Sequence, residues 1–140
     1  MAAFNKFNDF VEQIGLEQHN LNTDTLKVFL TNTAPNATTH TVYTDLSGGE
    51  PGTGNGYTAG GEDATNVWSE TGGTATLTGT DITWTASGAG FGPIRYAVLY
   101  NDTNATDMLI CWWDYGSSIT TVAAGETFTV DFATNILTLA

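Results

Sequence analysis

Positive charge is the scarcest property of this chain: among 140 residues only Lys6, Lys27 and Arg95 are cationic, against fifteen Asp and Glu, a formal net charge of -12. Nucleic acid is held chiefly by cations that displace counterions from phosphates, so three scattered ones exclude a binding stripe for DNA or RNA. The same balance disfavours an anionic membrane surface. Cysteine is nearly absent as well. Cys111 stands alone in an apolar run, which rules out an intrachain disulfide and predicts a buried, unreactive thiol. Histidine is limited to His19 and His40, both in polar surroundings away from any nucleophile-elbow pattern, so neither a catalytic triad nor a zinc site is expected. No apolar stretch reaches the roughly 20 residues of a membrane helix. The opening Met1-Ala2-Ala3-Phe4-Asn5-Lys6 lacks the order of a signal peptide, and synthesis and assembly in a cytoplasm are expected.

Apolar and aromatic residues are plentiful, with four Trp, five Tyr and seven Phe. A single domain spanning 1–140 is expected, with ample area for one core. Phe4, Phe7, Val11 and Ile14 recur at spacings of three and four, with Phe10 beside them, which predicts an amphipathic helix within residues 1–15 that Gly15 stops. At about three turns it needs a docking surface, either its own sheet or a neighbouring subunit. From residue 24 the period becomes two. Strands are predicted over 25–31, 40–46, 74–77, 81–86, 94–100, 108–115, 127–132 and 136–139. Between them, 47–63 reads as a long Gly-rich surface loop around Tyr57, the glycines at 88, 90 and 92 as a flexible corner, and 101–107 as a polar turn joining two apolar runs into an antiparallel hairpin. A second turn at 133–135 repeats that layout. Many short strands at regular intervals indicate an antiparallel β-sandwich or small, jelly-roll-like barrel carrying the short N-terminal helix.

Asp114 sits among Trp112, Trp113 and Tyr115, but a glycosidase needs a pair of inward carboxylates. Asn101, Asp102, Asn104 and Asp107 lack the alternation of a calcium loop, and the Gly48-Gly49 and Gly60-Gly61 pairs lead into neither a helix nor a Lys. No catalytic, cofactor-binding or metal-binding residue is therefore assigned. One pairing is specific. If Tyr100 lies opposite Leu109 across the turn, antiparallel counting places Arg95 opposite Asp114, and both stand in otherwise apolar runs where a lone charge would be expensive. An Arg95–Asp114 ion pair is expected, costly to break if buried and worth little if exposed.

Several segments together carry a resemblance: Phe4-Asn5-Lys6-Phe7-Asn8-Asp9-Phe10-Val11, Leu30-Thr31-Asn32-Thr33-Ala34-Pro35, Gly54-Asn55-Gly56-Tyr57-Thr58-Ala59-Gly60-Gly61, Arg95-Tyr96-Ala97-Val98-Leu99-Tyr100 and Trp113-Asp114-Tyr115-Gly116. Over nearly its whole length the chain resembles a family of small virion surface proteins of tailed bacteriophages. The resemblance implies a decoration, or cement, protein made in the host cytoplasm and bound to the outer surface of the phage head. Its partner would be the major capsid protein, and it would act as a homo-oligomer, a trimer about a local three-fold axis being favoured. It supplies no catalytic residue. An outer position agrees with the charge, since packaged DNA repels an acidic protein. The capsid or subunit interface is expected at Phe4, Phe7, Phe10, Val11, Ile14 and Tyr57. The alternative is a tail or fibre module that binds a host surface glycan, with Trp68, Trp84, Trp112 or Trp113 as a stacking platform and the glycine loop as its rim.

Overall fold

The computed structural model describes residues 2–140. In chain order these form β1 (Ala3–Lys6), α1 (Asn8–Gly15), β2 (Leu26–Thr31), β3 (Glu62–Asp63), β4 (Val67–Thr71), β5 (Thr74–Thr78), β6 (Ile82–Thr85), β7 (Ile94–Asn101), β8 (Leu109–Ile119), β9 (Thr127–Val130) and β10 (Leu137–Leu139). All pairing is antiparallel, in a five-stranded sheet ordered β1-β8-β7-β2-β3, a three-stranded sheet β10-β5-β4 and a two-stranded ribbon β6-β9. The protein is all-β and sandwich-like, as the short alternating runs indicate.

β2 and β7 lie inside the five-stranded sheet and are buried along almost their full length, which explains why their apolar residues run nearly without interruption. Register sets Leu30 against Ala97 and Val28 against Leu99 on one face, and Phe29 against Val98 on the other. The first face is closed by the C-terminal segment, where Trp113, paired with Ala97, meets Phe132 with ring centroids 5.5 Å apart. The second is closed by a 3-10 turn at Tyr43–Asp45, whose Tyr43 ring meets Phe29 edge-on at 4.8 Å.

Four expectations are corrected. The N-terminal helix does not begin at the start of the chain: Ala3–Lys6 is a strand, paired with Trp112 and its neighbours, and the helix covers only Asn8–Gly15. Phe4 and Phe7 fit a helical spacing, but β8 has an open side, and its unpaired backbone groups recruit an extended segment instead. The strand expected over 40–46 reduces to a single bridge between Val42 and Met108 followed by 3-10 turns at Tyr43–Asp45 and Ser47–Gly49. Residues 67–71, outside every expected strand, form β4. Finally, the turn at 133–135 does not close a hairpin: β9 pairs with β6 and β10 with β5, so the chain passes from one sheet to another there.

Candidate functional site

The expected interface residues divide into two groups. Phe7 and Phe10 lie inside the fold: Phe7 is fully buried, 4.5 Å from the Trp112 ring, and Phe10 packs 5.3 Å from the His19 ring. Phe4 and Val11 remain outside, 43% and 55% exposed, and Ile14 is half-buried against the core. Phe4, Val11 and Ile14 join Trp68, Leu137 and Leu139 around an apolar groove of about 380 Å³, with Lys6 on its lining. The Phe7 N–H donates to the Ile110 carbonyl at 3.2 Å, so alternation turns the backbone groups of Phe4 and Lys6 away from β8, toward solvent. Lys27 pairs with Asp102 at 2.9 Å and Arg95 with Asp114, whereas no carboxylate among the described residues pairs with Lys6.

Tyr57 belongs to a different structure from the one expected of a loop tip. It is buried, its hydroxyl accepting from the Leu30 N–H at 2.9 Å and donating to Glu50 Oε1 at 2.6 Å. Glu50 also takes the Tyr43 hydroxyl and, at 2.8 Å, the Gly60 N–H, while the Tyr100 hydroxyl donates to the Gly60 carbonyl at 2.8 Å. Tyr43 and Tyr100 stack with centroids 5.1 Å apart. Burial, and then the Glu50 carboxylate, push the phenols of Tyr43 and Tyr57 well above the ordinary tyrosine range, so both stay protonated donors. Within 47–63, residues 48, 52–56, 58–59 and 62–63 are exposed and the others are buried or half-buried. Tyr57 is therefore an internal anchor, and the Gly-rich rim proposed for a glycan site is in part a packed wall.

Arg95 and Asp114 do meet, and bidentately: Arg95 Nε donates to Oδ1 at 2.9 Å and Nη2 to Oδ2 at 3.0 Å. Their side chains are about a third exposed, 36% and 33%, which makes this a surface pair. The Arg95 guanidinium holds the Asp114 carboxyl below the usual range, helped by the Gly116 N–H at 2.8 Å and opposed by partial desolvation. The pair arises through a different register from the one counted. Tyr100 is opposite Leu109, but a bulge follows, so that Leu99 faces Cys111 and Tyr96, not Arg95, faces Asp114. A second irregularity between Ile94 and Tyr96 re-aims Arg95 onto the carboxylate.

The remaining chemistry-bearing residues are structural in their surroundings. Cys111 is buried, and desolvation raises its thiol well above the ordinary value. His19 is buried with Nδ1 3.1 Å from Asn101 Nδ2. Burial lowers its pKa against the opposing pull of Asp24 and Asp9. Neither histidine hydrogen-bonds a Ser, Thr or Cys side chain among the described residues, nor do these residues gather three His, Cys, Asp or Glu side chains able to hold a metal. Asn101 is the buried organiser of the 101–107 turn, its Oδ1 accepting from the N–H groups of Thr103 and Asn104 at 3.0 and 3.2 Å. Of the tryptophans offered as stacking platforms, Trp84 and Trp113 are buried and Trp68 and Trp112 partly so; the exposed ring of this region is Tyr115. Sequence could not single it out, because exposure on β8 depends on where the neighbouring strands end. The chain was compared with protein-family models, with curated proteins and with solved structures, and none of the three comparisons gives a match.

Proposed function

We propose that this protein is a structural module of a tailed-phage virion that binds the outer lattice of the head and stabilises it, acting as a trimer through the groove between β1, α1 and β10. The observation that carries this reading is the groove itself. In a chain of net charge -12, the groove collects exposed Phe4, Val11 and Leu139 beside half-buried Ile14, Trp68 and Leu137. Exposed apolar side chains gathered in one place, and not scattered, mark an interaction surface. Lys6 at the rim adds charge complementarity to an acidic residue on the lattice, the one kind of contact that the rest of this acidic surface repels. Small contacts of this sort gain strength by repetition: a trimer bridging several capsomers ties together subunits that must separate for the shell to burst.

The test uses heads lacking the protein. Purified wild-type chain should sediment with such heads in hundreds of copies, and Val11→Asp with Leu139→Ser should abolish that sedimentation while leaving the melting temperature unchanged. Undiminished sedimentation of the double variant overturns the groove as the attachment face. A handful of copies, located at the tail, overturns the head assignment.

A further inference from the structure

We propose a second binding site, for one neutral hexopyranose ring of a glycan, in a slot of about 200 Å³ between β7, β8 and β9. It shares no lining residue with the β1–β10 groove, and it does not rest on the attachment reading.

Strand alternation builds the slot. Trp113 and Tyr115 are two apart on β8 and share a side, and the residue opposite Trp113 is Ala97, whose short side chain leaves depth beneath them. Phe128 of β9 walls the slot and meets the Tyr115 ring at 5.3 Å. Tyr115 lines the slot and is 56% exposed, so its ring is accessible to a ligand while Phe128 packs against it. Polar groups stand at the rim. Arg95 has five N–H donors and gives two to Asp114, leaving three. Asp131 uses one carboxylate oxygen to accept the Ala133 N–H at 2.6 Å, and its other oxygen has no protein donor among the described residues.

Each feature narrows the ligand. The volume lies below the roughly 300–1,000 Å³ of drug-sized sites, so the slot holds a single ring. A wholly apolar ring would strip water from Arg95 and Asp131 without replacing their hydrogen bonds. An anion is disfavoured, because Asp114 already neutralises Arg95 and Asp131 adds a negative charge within a chain of net charge -12. A neutral sugar ring satisfies all three conditions. Its C–H face carries partial positive charge that the negative face of Tyr115 attracts, and its hydroxyls both donate to Asp131 and accept from Arg95.

The experiment is a titration of the full chain, followed by amide and indole NMR shifts and by saturation transfer, with the methyl glycosides of glucose, galactose, mannose and N-acetylglucosamine, and with glucuronate and sialic acid as anionic controls. At least one neutral glycoside should bind saturably in the millimolar range, moving the Trp113 and Tyr115 signals. Tyr115→Ala should weaken it at least tenfold and Tyr115→Phe should retain it, both with an unchanged melting temperature. The site is overturned if no neutral glycoside binds, if an anionic sugar binds more tightly, if the shifts map away from the slot, or if Tyr115→Ala binds as well as the wild type.

Discussion

The stretch from residue 3 to 16 and the stretch from 43 to 61 solve the same problem, holding a peripheral segment against the central strands, by opposite means. The first is rich in aromatic residues and is held by two of them: Phe7 and Phe10 enter the core, while Phe4, Val11 and Leu16 stay in solvent. The second is rich in glycine and is held by polar atoms, the Glu50 carboxylate gathering two tyrosine hydroxyls and a backbone N–H. Hydrophobic burial is non-directional, so the N-terminal segment can keep its place with half of its apolar side chains unused. A hydrogen-bonded network tolerates no such surplus, because each buried member left unpaired is a penalty. Composition therefore misleads in both directions. Aromatic density makes residues 3–16 look wholly committed to one contact, and glycine density makes 43–61 look loose.

The largest expected effect tests the hydrophobic side of that contrast. Phe7 is completely buried against Trp112, so Phe7→Ala should cost about 3–5 kcal/mol in chemical denaturation, whereas Val11→Ser, one helical turn on, should stay within about 0.5 kcal/mol. Equal effects would mean that the helix does not divide into a core face and a free face.

The next test addresses the glycines. Gly61 has φ +75°, and a Cβ there would overlap the Val28 carbonyl oxygen, so Gly61→Ala combines a left-handed backbone with a clash against a core strand. A loss of about 2–4 kcal/mol is expected. Gly52, with open space around its Cα, should accept alanine without measurable loss. If Gly61→Ala is as neutral as Gly52→Ala, the loop is not seated on β2. Between these lies Tyr57→Phe, which keeps the ring between Trp84 and Phe91 but removes the hydroxyl that serves both Leu30 N–H and Glu50. Leaving those groups unpaired should cost about 1–3 kcal/mol, with no change in aromatic packing seen by near-ultraviolet circular dichroism.

The same contrast shows where sequence reading succeeds. Periodicity located β2, β7 and β8 because each is long, apolar and local in its signal. It could not find the Glu50 network: Tyr43, Glu50 and Tyr57 follow one another at intervals of seven in a Gly-rich stretch where that interval matches neither the strand period nor an apolar stripe, and Tyr100 joins them from the distant strand β7. It could not find β4 either: Val67 to Thr71 is mostly exposed, and the burial alternation that marks a half-buried strand is missing. The N-terminal residues depart from the expected helix because a spacing of three suits a helix, while the pairing that makes Ala3–Lys6 a strand is supplied by β8, more than a hundred residues later.

Arg95 and Asp114 give the smallest expected effect and the reference point for both regions, since here hydrogen bonding is present without burial. The geometry is bidentate, but both side chains keep about a third of their surface in water, so solvent screens the attraction and ordering two side chains offsets part of it. A double-mutant cycle with Arg95→Met and Asp114→Asn should give a coupling that is measurable but smaller than the loss in Tyr57→Phe. The coupling also carries a pH signature. Asp114 is held below its ordinary carboxylate value in the folded state, by Arg95 first and the Gly116 N–H second, so the folded form retains the charge more strongly than the unfolded chain does. Its contribution is complete above about pH 4, where the unfolded carboxylate is ionised, and fades as pH falls through the lowered folded value. The wild type should therefore lose more stability than Asp114→Asn between about pH 4 and pH 2, and 0.5 M salt should narrow the gap between them at neutral pH. Additive single-mutant effects at every pH would mean that the observed contact contributes nothing, and that the bulges in β7 and β8 are fixed by their apolar neighbours alone.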